Sequence, residues 1–139
     1  MREIKFRAWD SKNNQWADLW PFHIIGEVTM FDLLKQYSIE DYDKLIVQEF
    51  TSLKDTNDKE IYEGDIVRLS YDNSPVDPTL YVVEFIDGVF GVWVPAGFRA
   101  LSYYCSDSSK RWVPDRKVVV VGNIFENKEM LNDKNTKTS

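Results

Sequence analysis

Residues 51–71 read TSLKDTNDKEIYEGDIVRLSY, and the punctuation of this stretch decides the fold. It holds two turn signals, Asp55-Thr56-Asn57-Asp58 and Glu63-Gly64-Asp65. Short apolar pieces surround them: Leu53 before, Ile61-Tyr62 between, Ile66-Val67-Arg68-Leu69 after. Asn and Asp bond their own main chain and tolerate left-handed backbone, and Gly takes positive φ at no steric cost. The chain is therefore expected to reverse at 55–58, make a short rung, turn at Gly64 with positive φ, and enter a strand. A small all-β barrel begins in this way. Nothing in the stretch is an active site.

Working outward, Leu45-Ile46-Val47-Gln48-Glu49-Phe50 is a strand leading in. Residues 3–9 alternate, with Ile4, Phe6 and Ala8 on one face and Glu3, Lys5 and Arg7 on the other, the pattern of a half-buried strand. Ser11-Lys12-Asn13-Asn14 is a turn, and 15–20 return as its partner, bringing Trp9, Trp16 and Trp20 close together. Thr29-Met30-Phe31-Asp32 opens a short helix over 30–37. The acidic run 38–43 is a solvated loop, because it lacks the sixth-position Gly of a calcium loop.

Downstream, 72–78 is a polar loop with two prolines. The runs 80–86 and 89–94 flank Asp87-Gly88, the preferred pair of a type I′ hairpin. That loop sets Ile86 opposite Val89, Phe85 opposite Phe90, Glu84 opposite Gly91 and Val83 opposite Val92. Tyr81, Val83, Phe85, Phe90, Val92 and Val94 are expected to face the core. Val82, Ile86, Val89 and Trp93 make the opposite face apolar as well, so it needs cover. Residues 98–115 are irregular, 118–121 are a strand buried on both sides, and Asn127 caps a last short helix through Leu131.

Three segments carry a family likeness: Arg2-Glu3-Ile4-Lys5-Phe6-Arg7-Ala8-Trp9-Asp10, then 50–67, then Val121-Gly122-Asn123-Ile124-Phe125-Glu126-Asn127. Together with the string LKD-x(4)-KEIYEGDIV they resemble the YopX family, phage- and prophage-encoded proteins of largely unknown function. Ser52 and Asp58 stand where such proteins usually carry Gly, and Glu49 where Gln is common. The resemblance implies a barrel related to SH3-type folds and a tendency to self-associate, with no catalytic residue to carry over. The expected fold is mainly β, a small SH3-like barrel with one or two short helices. It is one domain over residues 1–131, followed by a frayed tail, 132–139.

At 139 residues a single domain buries about two-thirds of its extended surface. Five Trp, seven Tyr and eight Phe exceed what one such core holds, so some are expected at contacts between copies. Trp93, Val82, Trp9, Trp16 and Trp20 are the candidate interface of a homo-oligomer or of a protein partner. The net charge of −6 disfavours binding to a phosphate backbone. One cysteine, Cys105, excludes an intrachain disulfide and fits a reducing bacterial cytoplasm. No apolar run reaches membrane-spanning length.

Catalytic, cofactor and metal chemistry find little footing. The one histidine, His23, sits in an apolar neighbourhood far from Cys105. One His and one Cys do not make a zinc site, and the scattered glycines form no phosphate loop. No cofactor is expected. The second functional reading is a single-stranded nucleic-acid binder using 99–117, where Arg99, Tyr103, Tyr104, Arg111, Trp112, Arg116 and Lys117 interleave cations with aromatics. The third is a carboxylate-based hydrolase around Glu84, whose apolar face would raise its pKa, with Glu60, Glu63 and Asp65 nearby. Against it, Glu63 and Asp65 serve the turn, and Glu84 pairs with a cation such as Arg68.

Overall fold

A computed structural model describes residues 4–17, 45–71, 79–105, 116–131 and 136–137. They fall into two compact units, Met1–Ser52 and Leu53–Ser139. The fold is mainly β, as the sequence implies. The expected helix at 30–37, together with Trp20, His23, Arg111 and Trp112, lies outside the described residues.

In the first unit, β1 (Phe6–Asp10) pairs antiparallel with β2 (Gln15–Trp16) on one side and with the start of β3 (Leu45–Lys54) on the other. Trp9 faces Trp16 across the hairpin, and Arg7 faces Gln48 across the second pairing. The turn at 11–14 is held by Asp10, whose carboxylate accepts from Lys12 N (3.0 Å), Asn13 N (3.1 Å) and Asn13 Nδ2 (2.7 Å). The Asn13 side chain and the main-chain donors hold this carboxyl below its ordinary pKa of 3.8. The expected alternation holds only in part. Ala8 is buried, but Ile4 is 42% exposed, and Trp9 and Asp10 are buried beside Ala8. Trp9 packs edge-on against Trp16, and the Asp10 carboxylate turns onto the 11–14 backbone, so these two side chains depart from the period-two pattern.

The second unit holds the end of β3 and the strands β4 (Glu60–Tyr62), β5 (Asp65–Tyr71), β6 (Leu80–Val82), β7 (Glu84–Ile86), β8 (Val89–Val94), β9 (Gly97–Ala100), β10 (Arg116–Asn123) and β11 (Thr136–Lys137). Its described residues also hold a 3-10 turn, Leu101–Tyr103, and a one-turn helix, Lys128–Leu131. The strand orders are β10-β5-β6-β11 and β7-β8-β9. Gly64 takes φ 85° between β4 and β5, as expected, and Asp65 steadies that turn by accepting Tyr62 N at 2.8 Å.

The run 80–86 is not one strand. Val83 interrupts it, and its N–H and C=O bond Asp65 O and Gly64 N, each at 2.8 Å. The chain passes at Val83 from the first sheet to the second. Both sheets line one core: Ile61, Val67, Leu69, Tyr81, Val83, Val92, Leu101, Tyr104 and Val118. Ile66, Leu80 and Val82 form a second cluster, with Val121, Ile124 and Met130 against it. The all-valine run of β10 thus serves both clusters. Val118 is fully buried, the following three are half-buried, and a bulge interrupts the register between Val120 and Gly122.

The Asp87-Gly88 hairpin has the expected register, and φ is positive at both turn residues. The expected facing of its tip needs correction. Phe85 is 48% exposed and Phe90 half-buried, while Val83 and Val92 are buried. The hairpin outruns the core, so the two rings pair with each other at 4.6 Å rather than with the interior. Gly91 is required where β9 pairs beside β8: a Cβ there would stand 2.4 Å from Arg99 O and 2.7 Å from the Phe98 ring. Two further expectations are revised at the C-terminus. Thr136–Lys137, read as part of a frayed tail, adds a parallel strand to the open side of β6. Asn127 Oδ1 accepts from Asn123 N at 3.1 Å instead of capping the helix, and Asn123 Oδ1 gathers Phe125 N and Glu126 N.

Candidate functional site

The 55–58 turn docks onto β10 through its own polar groups. Asp55 Oδ1 accepts from Asn57 N and Lys59 N, both at 2.9 Å, and Asp55 Oδ2 accepts from Val120 N at 2.9 Å. Thr56 N donates to Val118 O at 2.8 Å, and Thr56 Oγ1 accepts from Val118 N at 3.1 Å. Asp55 is buried, and these donors are what makes a buried carboxylate tolerable. Beside this corner, Lys54, Asp55, Thr56, Tyr104, Cys105, Arg116 and Val118 line an open pocket of about 190 Å³.

Arg116 joins the pocket to an aromatic cluster. Its guanidinium lies over the Tyr103 ring at 3.3 Å, and Nη1 donates to Tyr103 O at 2.8 Å. Arg99 lies over the same ring at 4.5 Å. Tyr103 meets Tyr104 edge-on at 5.1 Å, and Tyr104 is buried in the core. Burial, with the Asp55 charge adding to it, pushes the Cys105 thiol up to about 11. The thiol therefore stays protonated at neutral pH and is a poor nucleophile.

Of the residues singled out for nucleic-acid binding, the fold brings together Arg99, Tyr103, Tyr104 and Arg116, while Lys117 is exposed on β10. Tyr104 offers no free face, and both arginines occupy Tyr103. Among the candidate interface residues, Val82 is core, with Ile66 and Leu80 for neighbours. Trp93 packs on Phe98 at 5.3 Å, and its Nε1 has no hydrogen-bond partner among the described residues. Trp9 and Trp16 meet edge-on at 5.1 Å, with Arg7 over Trp16 at 4.4 Å. Glu84 is half-buried in β7 opposite Gly91. The Asp65 carboxylate serves the turn, and no group of three His, Cys, Asp or Glu side chains gathers among the described residues. Lys54 and Thr56 were not legible as pocket residues, since only tertiary folding sets them beside Tyr104, Cys105 and Arg116.

A mainly β chain whose LKD turn closes on its VGN strand defines the class. The family profile described as YopX protein matches residues 5–132, and the chain belongs to that family. Two crystal structures share its fold. Protein EF1440 from Enterococcus faecalis is 24% identical, with a TM-score of 0.57 over 92% of this chain and 97% of that one. Protein yopX from Bacillus subtilis is 20% identical, with a TM-score of 0.54 over 93% and 98%. No curated protein sequence matches the chain. No described helix is long and apolar enough to cross a membrane.

Proposed function

We propose that this protein is a self-associating binding or structural module without catalytic activity, encoded by a phage or prophage and working in the bacterial cytoplasm. The hairpin tip carries the reading. Phe85 and Val89 are 48% and 41% exposed, Ile86 and Phe90 are half-buried beside them, and all four belong to one two-residue hairpin. The strand that bears Phe85, β7, is an outer strand of its sheet among the described residues. An edge strand with apolar side chains is a template for another strand. A second copy supplies the same strand, and a two-fold axis turns β7 against β7 antiparallel, burying the aromatic pair of each copy against the other. The likeness to an SH3-type barrel rests on the two sheets of the second unit sharing one core. The family resemblance supports the phage origin, and the free Cys105 fits a reducing compartment.

Sedimentation velocity from dilute to concentrated solution tests this reading. Wild-type protein is expected to move from monomer to dimer, and Phe85→Glu to remain a folded monomer throughout. A wild-type chain that stays monomeric at high concentration refutes it.

A further inference from the structure

We propose that the pocket between the 54–56 corner and the start of β10 is an oxyanion site. It takes the phosphate group of a small phosphorylated ligand, with Arg116 and Lys54, which line the pocket, as the recognising side chains. Two guanidiniums are held over the single Tyr103 ring, at 3.3 and 4.5 Å. Like charges so placed repel, and a ring quadrupole offsets only part of that cost. Among the described residues neither arginine makes an ion pair, and the buried Nε of Arg116 has no acceptor.

The surroundings suit an anion. Lys54 lines the same pocket, and its own acid partner, Asp58, is 86% exposed at 3.7 Å, a weak surface pair. Asp55, the one carboxylate among the described lining residues, has both oxygens engaged by main-chain N–H groups. Among the described lining residues Lys54 and Arg116 thus stand against Asp55, a local positive balance in a chain of net charge −6. A pocket of 190 Å³ holds roughly six waters at ~30 Å³ each, room for a phosphate group and part of its hydration. Planar guanidinium forks match phosphate oxygens in pairs. A single strand is the lesser fit, because Tyr104 is buried and the Tyr103 ring already carries both guanidiniums.

The test is a titration with inorganic phosphate at constant ionic strength, against chloride, following the melting temperature and the arginine side-chain NMR signals. Wild-type protein is expected to respond saturably. Arg116→Lys, which keeps the charge and loses the fork, should bind about tenfold more weakly, as should Lys54→Gln. If Arg116→Lys fails to fold, Lys54→Gln carries the comparison alone. A response to phosphate no larger than that to chloride, or one unchanged in the folded variants, overturns the site. A short oligothymidylate added at the end identifies the source. Binding that phosphate displaces points to a nucleic-acid phosphate, and no binding points to a free phosphate or small ester.

Discussion

Ser52 and Asp58 hold φ of 68° and 66°, at two positions where the family resemblance leads one to expect Gly. A side chain pays about 1–2 kcal/mol for left-handed backbone, Asp rather less because it bonds locally. Ser52→Gly is expected to stabilise the chain by about 0.5–1 kcal/mol, and Asp58→Gly by less, once the entropy of a more flexible unfolded chain is deducted. Urea unfolding measures both, and a loss of stability in both would mean that their side-chain contacts outweigh the backbone strain. Asp10 makes a pH-dependent contribution of definite sign. Its folded pKa lies below 3.8, so its stabilisation is complete above the unfolded value and is lost as pH falls through the lowered folded value. Asp10→Asn is therefore expected to flatten the acid limb of a stability-against-pH curve and to leave the slope near neutrality unchanged. An acid limb identical to wild type would show that Asp10 does not supply it.

At the scale of elements, the turn at 55–58 is the joint between the middle of the chain and its last strand. Asp55→Ala strips the acceptor from three main-chain N–H groups, one of them on β10. A hydrogen bond to a charged group contributes about 1.5–3 kcal/mol. The variant is expected to lose at least about 3 kcal/mol in chemical denaturation, and a loss below about 1 kcal/mol would mean that water replaces the carboxylate. These local elements were legible in sequence. Asp-Gly sets a two-residue loop, and that loop sets the register 84–91, 85–90, 86–89. Facing was less legible, because alternation says which residues share a side and not how far the hairpin extends past the core. Phe85 shares the side of Val83 and still reaches solvent. The cover of Val82 was also illegible, since Ile124 and Met130 come from a segment some forty positions away. The pocket failed for the same reason: 54–56, 104–105 and 116–118 meet only in the folded chain.

At the scale of the whole molecule, the central claim is that copies of the chain meet at the tip of the 84–94 hairpin. Within a two-residue hairpin the pair flanking the loop is hydrogen-bonded, and pairs alternate from there. Ile86 and Glu84 therefore point their N–H groups at β8, and Phe85 points its own away, at the edge of β7 that no described strand pairs. Left unpaired, that amide is expected to exchange with solvent, while pairing with a second β7 would bury and bond it. Hydrogen exchange at the Phe85 amide, measured in dilute and in concentrated protein, is the most direct test. Protection is predicted to rise with concentration at Phe85 and to stay constant at Glu84 and Ile86. Rapid exchange at Phe85 in a concentrated sample that sediments as an oligomer would contradict the account, because the copies would then be meeting somewhere else.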